Sequence, residues 1–413
     1  MDAPSVVIVG GGVIGSAIAC FLARDHGARV TVLERDPTFA RASSSLSASS
    51  IRQQFSTPVN IALSRASLDF LRRAHEELAV GEDRPALGFV EAGYLYLASA
   101  AGAETLRELH GVQAAHGADV RLLDPDDLTR RWPWLNSDDI ALGSWGARGE
   151  GWFDGPALHA ALRRKARACG ARYVAADVSR WETVGTRVAA AVASDGQRWH
   201  ASHFVVAAGA WSAPLAAQLG LALPVMAKKR DVFVLESPAV LPGCPLVIDP
   251  SGVWLRPEGA LGNEDLASPP AGLARGPSQR ARGAVFLAGA PPRGDDPDEP
   301  PLDVVDHGLF EQVIWPALAH RVPAFEALRV RSAWAGYYEM NAFDHNGVVG
   351  DIPDLDNACI ACGFSGHGMQ HAPALGQGLA RWITQRQWGA VDLSPLAPQR
   401  IALGRPLVER NVI

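Results

Sequence analysis

Apolar residues recur along this chain in two rhythms. The stretch "SVVIVGGGVIGSAIACFLARDHGARVTVLERD" opens with a short unbroken apolar run and breaks at glycines. It then continues at helical spacing to Gly27 and returns to a second apolar run in "RVTVLER". A short apolar run bounded by glycine reads as a buried strand, and apolar positions three and four apart read as a helix face. The stretch predicts strand, glycine turn, helix, strand, which is a βαβ unit. "NIALSRASLDFLRRAHEEL", "AETLRELHGVQAAHG" and "GPALHAALRRKARACG" have helical periodicity, and "GFVEAGYLYLAS" alternates as a strand. "HFVVAAGAWSAPLAAQLG" reads as strand, tight turn and helix. After Leu223 the runs "KKRDVFVLES", "GVWLRPEG" and "AVFLAGA" predict strands of a separate, more antiparallel sheet. "LFEQVIWPALAHRVPAF" is helical until its prolines, and "RVRSAWAGYYEM" is a strand leading back toward the first unit. "NACIACGF" is the last strand and "APALGQGLARWITQR" the last helix, with Pro373 marking a helix start.

This order leaves the nucleotide-binding unit, enters another and returns. It predicts an α/β fold in which a Rossmann-like dinucleotide-binding domain (1–85, 145–220 and 335–413) is interleaved with a substrate domain. The substrate domain (86–144 and 221–334) is α+β with a mixed or antiparallel sheet. Residues 259–283, rich in Gly, Pro, Ala, Ser and Arg, read as a mobile loop. A length of 413 residues suits two domains, and the cleft between them is the expected site.

Composition removes several function classes. A net charge of −6 leaves no basic surface for nucleic acid or anionic lipid. Ser5 to Ala23 carries no charge and is nearly long enough to span a bilayer, but its glycines follow a nucleotide-binding pattern instead. "MDAPS" lacks the positive region of a signal peptide, so the expectation is a cytoplasmic protein with no membrane span. Five scattered cysteines form no framework, and Cys359 and Cys362, three apart in a strand, point to opposite faces. Only three lysines occur, Lys165, Lys228 and Lys229.

The chemistry starts at Gly10, Gly12 and Gly15, a GxGxxG between strand and helix. The first glycine permits the turn, the second lets a pyrophosphate reach the backbone, and the third lets helix and strand pack closely. The helix N-terminus offers amides and partial positive charge to phosphates. Glu34, ending the second strand, stands where an acid accepts from ribose hydroxyls. A second glycine-rich segment, "CGFSGHGMQHAPALGQG", ends in a helix. Its His367 and His371 share the i,i+4 spacing of a metal pair, but no HExxH acid lies between them. Two backbone-lined helix starts suit one long ligand, with pyrophosphate at the first and an electron-poor ring at the second.

These segments, with the Ser-rich "ASSSLSASSIRQQFS", "FVVAAGAWS" and "WAGYYEMNAFDHNGVVGD", resemble the D-amino-acid-oxidase/sarcosine-oxidase family of FAD-dependent oxidoreductases. "IRQQFS", "KKRDVFV" and "GFSGHGMQHAP" together are most similar to the subgroup of FAD-dependent oxidoreductase domain-containing proteins. The resemblance implies an FAD-binding domain and oxidation of a C–N bond in an amino acid or N-alkylated amine. It implies that Gly10, Gly12, Val13, Ile14 and Gly15 wrap the pyrophosphate, and that Glu34 and Arg35 meet the ribose. Ser43, Ser44 and Ser45 lie along phosphates and ribityl chain, and the Val178 backbone holds adenine. Ala208, Gly209 and Trp211 close over the dinucleotide. Gly336, Gly366, His367, Gly368, Met369 and Gln370 border the flavin ring. Arg52 is implied to bind a substrate carboxylate, for which a guanidinium fork is suited. Tyr337 and Tyr338 point opposite ways, and Tyr338 is the one matched to the pocket. Catalytic roles thus fall on Arg52, Tyr338 and Gln370.

Three departures from the family stand out. The regions where relatives attach flavin covalently hold no Cys or His, so FAD is expected to be non-covalent. Gln370 stands where sarcosine oxidases carry a carboxylate-binding lysine. The strand "AVFLAGA" lacks their oxygen-activating lysine, leaving Lys228 or Lys229 as substitutes and either oxygen or another electron acceptor as partner. The same departures admit a second reading, a flavin-bearing assembly or scaffold protein with little small-amine turnover.

Overall fold

The computed structural model describes residues 3–258 and 284–411. The loop expected at 259–283 lies outside the described residues. Four sheets are formed. The six-stranded sheet runs Val348–Asp351, Ala358–Cys362, His203–Val206, Ser5–Val9, Arg29–Glu34, Arg172–Ala175. Its pairs are parallel except the first, where Val349 lies opposite Ala361 in antiparallel register. Its central strands Ser5–Val9, His203–Val206 and Ala358–Cys362 are buried on both faces and are unbroken apolar runs of the sequence, as a parallel sheet covered by helices requires.

The eight-stranded sheet runs Arg329–Asn341, Val225–Ser237, Ala284–Gly289, Trp254–Glu258, Leu246–Ile248, Tyr94–Ala98, Leu142–Gly146, Val120–Leu123. It is antiparallel apart from Leu246–Ile248 against Tyr94–Ala98, which makes it mixed. Its two faces do different work. In Tyr94–Ala98, Leu95 and Leu97 enter the core shared with Trp132, Phe233, Phe286 and Phe325, while Tyr94 and Tyr96 pack with Trp152, Leu246 and Ile248 on the opposite side. The alternation continues in Val225–Ser237, where Phe233 and Leu235 join the same core and Arg230 and Val232 border the central cavity.

Helices Val13–His26, Pro58–Arg72, Gly155–Ala168 and Gly368–Gln385 enclose the core against the parallel sheet. Two helix boundaries differ from the sequence expectation. The last helix begins at Gly368, five residues before Pro373, which lies inside it. Proline there forfeits one N–H bond to the preceding turn, a cost that tertiary burial of Met369 to Leu375 outweighs. The helical path from His307 also runs on through Pro316 to Arg321. The π-turn Phe310–Ile314 precedes Pro316 and opens the hydrogen-bond ladder where the ring would clash. Among the described residues no helix is long and apolar enough to cross a membrane.

Candidate active site

At the carboxyl ends of Ser5–Val9, Arg29–Glu34 and His203–Val206 a cavity of about 470 Å³ opens under the second face of the mixed sheet. Open parallel sheets bind ligands at these strand ends. Glu34, Arg35 and Val178 border one end of the cavity, and Gly10, Gly12, Val13, Ile14, Ser43 and Ser44 its middle. Ala208, Gly209 and Trp211 line it as well, and the far end holds Arg52, Gly336, Tyr338 and the run Gly366, His367, Gly368, Met369, Gln370. Two expected residues stand back from it. A side chain at Gly15 would fall 2.0 Å from the Gly10 carbonyl, so this glycine serves the contact of turn with helix. Ser45 is absent from the lining, and its amide donates to the Ala42 carbonyl at 2.9 Å.

Local interactions explain the cradle. Glu34 takes the Gly11 amide on Oε2 (2.7 Å) and the Asp36 amide on Oε1 (2.9 Å), pinning the glycine turn to the second strand. Ser44, in the short helix Ser43–Leu46, accepts from the Val13 amide at 3.3 Å. The Arg35 guanidinium lies 3.9 Å above the Trp211 ring, a cation–π contact closing that end. At the far end Gly366 has φ +92°, and a Cβ there would lie 2.4 Å from the Tyr338 ring. The loop before the last helix therefore sits directly on Tyr338. Two helix N-termini, at Val13 and Gly368, look into one elongated cavity. The donor set fits a ligand with a pyrophosphate at the first and an electron-accepting ring at the second.

A family profile described as "FAD dependent oxidoreductase" (DAO) matches residues 5–382. The chain belongs to this family. It is 40% identical over 448 residues to FAD-dependent oxidoreductase domain-containing protein 1 of Xenopus laevis, covering 99% of this chain and 84% of that protein. It is 26% identical over 389 residues to the mitochondrial sarcosine dehydrogenase of Mus musculus, covering 92% of this chain and 39% of that protein. Its fold matches the L-proline dehydrogenase structure from P. horikoshii with a TM-score of 0.81 at 23% identity, over 98% of this chain and 99% of that one.

The far end of the cavity is rich in buried polar groups. Arg52 is only 4% exposed. Its Nη1 donates to the Gln54 carbonyl at 2.6 Å, its Nη2 donates to the Asn411 carbonyl, and its guanidinium lies 3.9 Å from the Phe55 ring centre. Among the described residues no carboxylate lies within ion-pair distance of it. Gln370 turns its Oε1 toward the protein, accepting from the Arg52 amide at 2.9 Å and from the Ser64 hydroxyl at 3.4 Å. It braces the backbone of Arg52.

Tyr337 and Tyr338 diverge as strand geometry demands. The Tyr337 hydroxyl donates to the Pro300 carbonyl at 2.6 Å and its ring packs against Trp211, while Tyr338 lies against Gly366. His367 and His371 lie ring to ring at 5.2 Å, both against Phe55. Burial holds both neutral, His367 with a pKa down at about 3 and His371 well below the ordinary value. Among the described residues no group of three or more His, Cys, Asp or Glu could hold a metal.

Sequence reasoning named Glu339 as a polar residue near the pocket, passed over Arg230 and left the role of the two lysines open. Glu339, beside Gly209 and Gly368, accepts the Gly363 amide at 3.0 Å, and burial pushes its carboxyl up to about 7. Arg230 borders the cavity 5.5 Å from the Tyr338 ring, held by Asp296 at 3.1 and 3.2 Å. Lys228 donates to the Asp296 carbonyl and Lys229 to the Val304 carbonyl at 2.6 Å, and neither borders the cavity. The signal for Arg230 was the period-two spacing that puts positions 228 and 230 on one face of "KKRDVFV", opposite Tyr338 and Gly336.

Proposed function

We propose that this protein oxidises the C–N bond of a small amine that carries a carboxylate, an amino acid or its N-alkylated form. The observation that carries this reading is Arg52, a residue of the cavity wall whose buried guanidinium has no carboxylate partner among the described residues. A buried cation without a counter-ion is costly, and a substrate carboxylate relieves that cost. FAD, when bound, accepts the hydride that leaves the carbon next to nitrogen. The chain's own residues bind, orient and dry the substrate. Arg52 takes the carboxylate, while Tyr338, Tyr94, Leu246 and Trp254 supply an apolar wall. That wall disfavours a charged ammonium, so the reacting amine is presented neutral without a strong protein base. His367, neutral at all working pH values, lines the pocket without adding charge. Loss of a hydride from the neutral amine leaves an iminium ion, which gives up a proton to water to become the imine and is hydrolysed after release.

The test is an anaerobic screen of D-, L- and N-alkyl amino acids with flavin bleaching near 450 nm as readout, followed by mixing of the reduced protein with oxygen. Bleaching by at least one carboxylate-bearing amine, but not by its amide, is expected. Flavin that stays oxidised throughout the screen would discard this reading in favour of an assembly or scaffold role.

A further inference from the structure

The segment Arg405–Asn411 runs back across the molecule to the Arg52 turn and is tied there by a dense set of hydrogen bonds. Glu409 is fully buried. Its Oε1 accepts from the Ser56 amide and hydroxyl, both at 2.7 Å. Its Oε2 accepts from the Thr57 amide at 3.2 Å, the Thr57 hydroxyl at 2.9 Å and Asn60 Nδ2 at 3.0 Å. Thr57 is the N-cap of the Pro58–Arg72 helix and makes no capping bond of its own, so Glu409 supplies negative charge there from the far end of the chain. Burial works to raise the Glu409 pKa, but the Arg52 charge and the Ser56 and Asn60 bonds outweigh it and hold the carboxyl below its ordinary value.

Asn411 completes the arrangement. Its carbonyl accepts from Arg52 Nη2, and its Nδ2 donates at 2.9 Å to the Gln54 carbonyl, the same oxygen that receives Arg52 Nη1. One edge of the guanidinium is thereby closed into a ring with Asn411 and Gln54, and Phe55 covers its face at 3.9 Å. Arg52 Nε makes no hydrogen bond to a described residue. An arginine side chain has about four rotatable bonds to order, and a fork aimed within a few tenths of an ångström needs partners that lock it.

We propose that Glu409 and Asn411 are positioning residues that aim the Arg52 guanidinium into the cavity and so set the preference for a carboxylate-bearing ligand. This rests on the reading of Arg52 given above. Glu409 acts without touching Arg52: its bonds to Ser56 and Thr57 fix the turn that carries the arginine.

The experiment titrates the FAD-loaded protein with benzoate and with benzamide, following the flavin absorbance change, for the unaltered chain, Glu409→Gln, Asn411→Ala and Arg52→Gln. Glu409→Gln keeps the shape but sets an amide donor against the Ser56 and Thr57 donors; Asn411→Ala removes only the bond to Gln54. Both variants are expected to weaken benzoate binding roughly tenfold, leave benzamide unchanged and leave FAD content unchanged. Crystal structures should show the Arg52 guanidinium in more than one orientation. Equal weakening of both probes, or no weakening of either, overturns the positioning role, as does an Arg52 left in a single unchanged place. Should Glu409→Gln not fold, the Asn411→Ala titration alone decides between these outcomes. If Arg52→Gln itself leaves benzoate preference intact, or the unaltered protein shows none, the Arg52 reading fails. If Arg52→Gln abolishes the preference and the other two variants keep it, only the inference about Glu409 and Asn411 fails.

Discussion

Arg52 stands in the segment "IRQQFS" that the sequence singles out, whereas Glu150, the opposite charge buried near it, sits close in sequence to nothing that would mark it as special. Glu150 is 1% exposed, and its oxygens accept from the Gln53 amide at 2.5 Å and from Gln54 Nε2 at 2.8 Å, on the turn that follows Arg52. Desolvation raises its carboxyl to about 7, with the Gln54 and Gln53 bonds and the Arg52 charge opposing. Its folded-state pKa therefore lies above the unfolded value. Between the two values the folded protein binds more protons than the unfolded chain, so stability falls as pH rises. The expected outcome is a loss of thermal stability between about pH 5 and pH 8, worth up to about 3 kcal/mol from this group. Glu339, shifted in the same direction to about 7, adds to the slope. Glu150→Gln should flatten part of that slope in melting curves taken across this range; an unchanged slope would remove Glu150 as its source. Glu339 was legible in the sequence as a polar residue near the pocket and Glu150 was not; the shift of neither was, because pKa is set by burial, and burial by distant strands.

Among the elements, the strand Arg329–Asn341 and the loop before the Gly368–Gln385 helix form one unit. Gly366 touches Tyr338, and Glu339 Oε2 accepts the Gly363 amide, so the loop is moulded on the strand. Gly366→Ala places a methyl into the Tyr338 ring and forces a left-handed conformation on alanine. It should destabilise the protein by about 1–3 kcal/mol and weaken FAD retention, measured by melting temperature and by flavin-to-protein absorbance ratio after gel filtration. A variant with full flavin and unchanged melting temperature would mean that the loop is not held by this contact. The glycines of "CGFSGHGMQ" were visible as a backbone-lined segment, and the strand of Tyr338 as a strand. Their mutual contact was not, since the two residues lie 28 positions apart in the chain. Likewise Pro373 suggested a helix start by local rule, and the burial of the preceding turn overruled it.

For the whole molecule the central consequence is a cavity bordered by both large sheets. Every residue expected to meet FAD borders the cavity except Gly15 and Ser45. Among the described residues bordering the cavity there is no cysteine, and the one histidine, His367, is buried against Phe55 and His371. Acid precipitation of the purified yellow protein should release all of its flavin to the supernatant; flavin retained in the pellet would show a covalent link.

The linear pattern determined the βαβ start, the switch to a second sheet after Leu223, the glycine turn and helix start around Gly10 to Gly15 and the backbone-lined segment at Gly366 to Gln370. These rest on short-range geometry: period, glycine at tight turns, and an acid at the end of the next strand. Only the tertiary structure decided that Arg230 rather than Lys228 or Lys229 reaches the cavity, that Gln370 braces Arg52, and that a segment some 350 residues away holds it (409 − 52 = 357). Those outcomes depend on which side chains are brought together across the fold and cut off from water, and neither proximity nor desolvation is written in local spacing.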